Sequence, residues 1–310
     1  NDWKIGSGNA ALKVDALPLM SIPQYRQQAI AVNAQLTTDS QIDFTWSPEG
    51  VSPSRLDGKL SLANITRFGR PVGQLEFTSR TTGQRASLTA LGSVGKLPVK
   101  GDATIQFGTR LNTELRLQLP KLDFPTIAQL FSEELLPSPL PYEGGAEASF
   151  FFKGPLLDPQ GWDGQLTIPQ IQLAPNKDYV KETLPSVADV VLRNQNPIVF
   201  EFKQGLISTR DVRLVAKDTN LTASLLYRSG TKGLTGQVKG TINLAVLSTL
   251  KPDLLTKGAA TLDTNIQGTT DDPQLNGRLA FQNASFYLRD VITGLDKVNG
   301  TVLFDKSRAT

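Results

Sequence analysis

The sequence predicts a mainly β protein, an extended antiparallel sheet interrupted by a few short helices. Three observations carry this. Apolar and polar residues alternate with a period of two along most of the chain, Gly-containing turn signals separate the alternating runs, and one glycine-bounded block occurs twice. Alternation marks strands with one buried face. Strands that follow strands directly, with few helices between them, argue for antiparallel pairing and against βαβ units.

Taken in order, residues 1–121 form a first segment. Pro23 to Ala29 reads as a short helix, and Asp57-Gly58 and Thr82-Gly83 read as turns. Thr104-Ile105-Gln106-Phe107 and Thr113 to Leu119 alternate as half-buried strands. A second segment, 122–241, opens with a helix over Phe124–Phe131, which follows Asp123 and carries Pro125 early in its first turn. Strands follow at Gln165–Ile168, Ile198–Phe202 and Val212–Val215, with turn signals at Asp163-Gly164 and Ser229-Gly230. Tyr179 to Val191 is a further helical candidate, broken by Pro185. The third segment, 242–310, opens with a helix over Leu244–Leu250 that Lys251-Pro252 should end. Its strands include Gly277–Phe281 and Thr301–Phe304, with Asn276-Gly277 and Asn299-Gly300 as turn signals. The last strand reads as lacking its partner, so both ends look cut and the chain looks like a fragment of a longer protein.

The repeated block sets the architecture. Gly144–Ile168 and Gly258–Phe281 lie 114 residues apart. Gly144 matches Gly258, Gly154 matches Gly268, Asp158-Pro159-Gln160 matches Asp272-Pro273-Gln274, and Gly164 matches Gly277 after a one-residue gap. The lead-ins also match, Leu122-Asp123-Phe124 against Ile242-Asn243-Leu244, each opening a short helix. Self-similarity at a fixed spacing points to a stacked architecture that works through a long continuous surface. The glycines read as turn or bulge positions. The Asp of each Asp-Pro pair reads as a turn residue bonding its own backbone.

Composition narrows the function. Net charge is +3 with no basic stripe, which argues against a nucleic-acid partner. The chain has neither Cys nor His, excluding thiol nucleophiles, His-based triads and zinc sites of the His/Cys kind. The absence of Cys fits an oxidising compartment. No apolar run approaches the roughly 18 residues that span a bilayer, and no signal peptide opens the sequence. Asp271-Asp272 is the sharpest carboxylate pair, but neighbours on a strand point to opposite faces, which argues against chelation. Trp3, Trp46 and Trp162 are scattered, and no acidic cluster suggests a glycosidase. The reading is therefore not an enzyme, with no catalytic, cofactor or metal residue.

The second block, G-x(9)-G-T-x-x-D-P-x-L-x-G-x-L from Gly258, continues into Phe286-Tyr287-Leu288 and then Leu295-Asp296-x-Val298-Asn299-Gly300-x-Val302-x-Phe304. This run resembles the TamB family of AsmA-like envelope proteins, and Gly144–Ile168 is a weaker instance of the same pattern. The resemblance covers most of residues 100–310 and residues 1–100 more loosely. It implies a twisted sheet curled like a taco into a repeating β-groove with an apolar concave face. It further implies a periplasmic segment of an inner-membrane-anchored protein, working in phospholipid transport and outer-membrane barrel assembly with a TamA-like partner. The anchor and the docking region lie outside these residues.

Such a groove would be lined by the apolar members of the alternating strands: Ile105, Phe107, Leu115, Leu117, Phe150, Phe152, Leu166, Ile168, Phe200, Phe202, Leu214, Leu225, Leu279, Phe281 and Phe286. Its ligand would be phospholipid acyl chains. The competing reading is a structural or adhesive β-solenoid or stalk, with the same residues sealed in a closed core and no lipid. Phe151, the middle of three consecutive aromatics, faces the other way and is expected to pack under a helix such as Phe124–Phe131.

Overall fold

The computed structural model describes residues 6–22, 32–48, 50–95, 97–108, 110–132, 136, 140–156, 158, 161–176, 190–250, 254–288, 294–306 and 308–309. The helical candidate at 23–29, residues 179–189 of the candidate Tyr179–Val191, and Pro159-Gln160 of the first block lie outside them; Val190 and Val191, which end that candidate, are not helical. The chain is mainly β, every described strand pair is antiparallel, and two short α-helices occur among the described residues. Two compact units are formed. The first is Asn1–Lys121, Leu130–Glu133 and Ser149–Gly164, and the second is Leu122–Gln129, Glu134–Ala148 and Gln165–Thr310.

In the first unit β1 (Gly6–Pro18), β2 (Val32–Ser47), β3 (Gly50–Arg67), β4 (Arg70–Thr82), β5 (Arg85–Val94), β6 (Leu97–Gln106) and β7 (Asn112–Asp123) pair in chain order. Their register stacks apolar residues on one face. Leu36 pairs with Leu62, Leu62 with Leu75 and Leu75 with Gly92, while Ala86 pairs with Ile105 and Ala103 with Leu115. The other face is charged: Lys59 pairs with Glu76 at 2.9 Å, and Arg116 meets both Asp102 and Glu114.

In the second unit the start of β8 (Tyr142–Pro155) pairs with β10 (Ile171–Pro175) and β10 with β11 (Leu192–Asn194). β12 (Ile198–Lys203) and β11 both pair with β13 (Leu206–Ala216). The ladder continues through β14 (Thr219–Arg228), β15 (Gly233–Asn243), β16 (Leu254–Gly268), β17 (Pro273–Leu288) and β18 (Leu295–Lys306). Between β8 and β10 in sequence lies β9 (Asp163–Ile168).

Small residues alternate with large ones on the apolar faces. A leucine leans over the place of a missing Cβ in each unit, Leu75 over Gly92, Leu117 over Gly101 and Leu225 over Gly236. A face that mixes Gly and Ala with Leu and Phe leaves room for the strands to coil toward it. Register shifts at Asp43/Phe44, Leu62/Ile65, Thr209/Val212 and Phe281/Ala284 add bends and local twist.

Two of the expected turns are turns, Thr82-Gly83 and Ser229-Gly230. Four are not: Asp57-Gly58, Asp163-Gly164, Asn276-Gly277 and Asn299-Gly300 all lie within strands. At Gly277 the reason is close approach, because a Cβ there would collide with the Asp263 carbonyl across the β16–β17 ladder. The matching Gly164 is constrained in the same way by the Phe151 carbonyl. The asparagines serve the ladder instead: Asn276 Oδ1 accepts from the Lys306 amide, and Asn299 Oδ1 from the Asn283 amide at a bulge. Gly154 and Gly268 do adopt the positive φ (154° and 103°) that the repeat suggests. In the second block the bonds that close the turn run from the Thr269 amide to the Asp272 carbonyl and from the Asp272 amide to Thr269 Oγ1. The threonine hydroxyl thus does the work expected of the Asp272 carboxylate.

The two expected helices that precede the repeated blocks form. α1 (Phe124–Phe131) starts at Asp123, whose Oδ2 accepts from the Thr126 amide at 2.9 Å and the Thr126 hydroxyl at 2.6 Å. α2 (Ala245–Leu250) starts after Asn243, whose Oδ1 accepts from the Ala245 amide at 3.0 Å. The matched lead-ins therefore do the same job, an Asx side chain ending a strand and opening a helix.

Candidate functional site

Across β12 to β18 the register fixes which side chains share a face. Phe200 stands opposite Thr209, Thr209 opposite Leu225, Leu225 opposite Gly236 and Gly236 opposite Ile266. A second row runs Leu214, Leu221, Gly240, Leu262, Leu279 and Val302. Paired residues on antiparallel strands point the same way, so these rows form one continuous apolar face. The residues between them form the other face, with Lys239 and Asp263 paired at 3.5 Å and Gln237 bonded to Asn265. The apolar side chains of these rows are mostly half-buried, and among the described residues these strands pair only along the ladder.

The two helices sit on this apolar face. Under α2, Leu244, Ala260 and Ala284 are buried with Ile242, Leu247, Leu279, Phe281, Phe286 and Val298 packed around them. Phe281 and Phe286 meet edge to face, 5.6 Å between centroids. A second cluster joins Val190, Ala245 and Val246 to Ala216 and Ile242. A hydroxyl lock completes the seal: Thr256, fully buried, donates to the Leu244 carbonyl and shares a bond with Ser248, which also accepts from the Thr256 amide. Of the expected lining residues, Leu279, Phe281 and Phe286 are thus the floor beneath a helix.

Under α1 the arrangement differs. Phe124, Ile127 and Ala128, spaced as one helix face, stand across from Tyr142, Ile171, Leu173, Leu192 and Leu214 around a cavity of about 350 Å³. Of these eight, only Leu214 was expected from alternation. The i, i+3, i+4 stripe on α1 is the signal that could have found the rest.

Phe200, Phe202 and Leu225 lie half-buried on the stretch that neither helix cluster includes, and Leu166 and Ile168 are half-buried in β9. In the first unit Ile105, Leu115 and Leu117 share the apolar face of β6 and β7, and Phe107 follows on beyond β6. Phe150 and Phe152 are tilted against each other, but Phe152 is 4% exposed because Trp162 stacks on it at 4.4 Å, with the indole N–H donated to the Pro155 carbonyl. Phe152 is therefore a packed core ring. Phe151 lies under the Arg116 guanidinium at 5.4 Å, a cation–π contact in place of the expected helix.

Two further hydroxyls on the apolar face, Thr209 Oγ1 and Thr264 Oγ1, are buried with no hydrogen-bond partner among the described residues. Elsewhere on the sheet, Ser285 donates to Asp296 and holds its carboxyl below the ordinary range. Tyr287 is pushed up, first by desolvation and then by Asp296. Asp271, the outer member of the acidic pair, is ion-paired with Lys232 at 2.9 Å. No cluster of three or more metal-ligating side chains occurs among the described residues, and no helix among them is long and apolar enough to cross a membrane. No protein-family model, curated protein or solved structure matches the chain.

Proposed function

We propose that this chain is a non-catalytic segment of a lipid-carrying groove, in which the apolar sheet face holds phospholipid acyl chains out of water. The observation that carries the reading is the half-buried apolar face of the second unit, continuous in register from Phe200 to Phe304 and backed by a charged opposite face. A face of this extent is normally covered, and one left open marks a binding surface for apolar matter. Each methylene placed there gains about 0.8 kcal/mol, so chains bind without specific polar contacts. Strands about 4.8 Å apart offer near-equivalent neighbouring sites, which keeps barriers to sliding small.

The resemblance to TamB-like proteins adds the setting: the bacterial periplasm, passage of phospholipid between inner and outer membranes, and support for barrel assembly with a TamA-like protein. The paired Asx-capped helices at matching repeat positions support that resemblance.

The test is to purify the chain under native conditions from bacteria and identify bound lipids by mass spectrometry, beside a soluble β-protein of similar size. Phospholipid at a reproducible ratio is the expected result. A stable, lipid-free chain would overturn the reading and favour a closed structural stalk.

A further inference from the structure

The α1 cavity, though open to solvent, differs from the rest of the apolar face in having a helix along one side. Its walls are seven apolar side chains and Tyr142, whose hydroxyl is the one hydrogen-bonding side-chain group among them. A water molecule is held by two to four polar partners, which these walls do not supply, so apolar matter is favoured in this half-open space. A dry cavity of 150 Å³ accommodates benzene, so one of about 350 Å³ has room for a chain on the order of ten carbons. One wall, Leu214, belongs to the open face and pairs directly with Leu221. A linear ligand lying along β13 and β14 can therefore pass its end under the helix. The helix is fixed at its start by the Asp123 cap, whereas under α2 Leu244, Ala260 and Ala284 are buried in contact.

We infer that the space beneath α1 is a seat for the end of a single straight hydrocarbon chain, so that α1 converts one place on the apolar face into a holding site. The inference rests on the lipid-groove reading. In that setting the chain is one tail of a phospholipid whose second tail stays on the open face. A free fatty acid has the same chain chemistry.

The test uses the whole chain carrying Phe124→Trp as a reporter, with bromine as a short-range quencher. Phosphatidylcholine micelles brominated near the chain terminus are expected to quench the new indole strongly, and those brominated near the carbonyl weakly. Adding Ala128→Phe, which fills the cavity from the helix side, should abolish the difference, as should Leu192→Phe from the sheet side. Quenching that is independent of bromine position, or that persists in both filled variants, would overturn the seat. Brominated stearate separates the sources. If it quenches while the phospholipid does not, and no phospholipid co-purifies with the unsubstituted chain, the seat stands and the carriage of phospholipid fails. If phospholipid co-purifies but neither probe quenches, carriage stands and the seat fails.

Discussion

The two helices of the second unit begin alike and end differently. Asp123 and Asn243 occupy matched positions, each closes a strand, and each caps a short helix laid on the same apolar face. Beneath α2 the sheet presents Ala260 and Ala284, ringed by Leu279, Phe281 and Phe286, and Thr256, which bonds to Ser248 of the helix and to the Leu244 carbonyl, and the contact is sealed. Beneath α1 it presents Ile171, Leu173, Leu192 and Leu214, and a cavity is left. Small residues let a helix settle onto a sheet, whereas branched residues hold it off. A repeated local design thus yields a clamp at one place and a roof at the other.

The largest expected effect separates the open face from both. Phe200→Asp or Leu225→Asp should strip bound lipid from a chain that stays folded, because these side chains lie outside the sealed cluster. Thr222→Asp, on the opposite face, should leave lipid recovery unchanged, and equal loss from all three would break the distinction. Next, Leu244→Ala should cost about 2–5 kcal/mol in denaturant unfolding, since Leu244 is 2% exposed. Phe124→Ala, at a helix already standing off the sheet, should cost less.

The threonines sharpen the comparison. Thr256→Val removes a satisfied hydroxyl, leaving the Leu244 carbonyl with the Leu247 amide alone and Ser248 Oγ without the Thr256 hydroxyl, a loss of about 1–3 kcal/mol. Thr264→Val exchanges an unpartnered buried hydroxyl for a methyl and should be neutral or stabilise by about 1 kcal/mol. Caps come lower: Asp123→Ala and Asn243→Ala should each lower stability by about 1 kcal/mol, read from the same unfolding curves. The smallest effect is the pH dependence of Asp296. Its folded pKa is depressed, so its contribution is present above the ordinary carboxylate value and is lost as pH falls through the folded value. Asp296→Asn should flatten that part of the acid limb, followed by carboxyl chemical shifts.

Much of this was legible in the sequence. Alternation located strands such as β6, β7 and β12, and the paired lead-ins located both helices, because strand period and helix starts are local properties. What depended on register was not legible. Gly277 looked like a turn, but its role is set by Asp263 across the ladder. Phe152 looked like lining until Trp162 stacked on it, and Leu279, Phe281 and Phe286 alternate like their neighbours yet lie beneath α2. The α1 cavity joins residues from five elements, and only the stripe on the helix hinted at it.

The most direct test of the open apolar face places a photo-crosslinker on each side of one strand in living bacteria. Leu225→benzoylphenylalanine should yield a phospholipid adduct on irradiation, and Thr222→benzoylphenylalanine, three residues away on the other face, should not. Adducts at both positions, or at neither, would contradict the account.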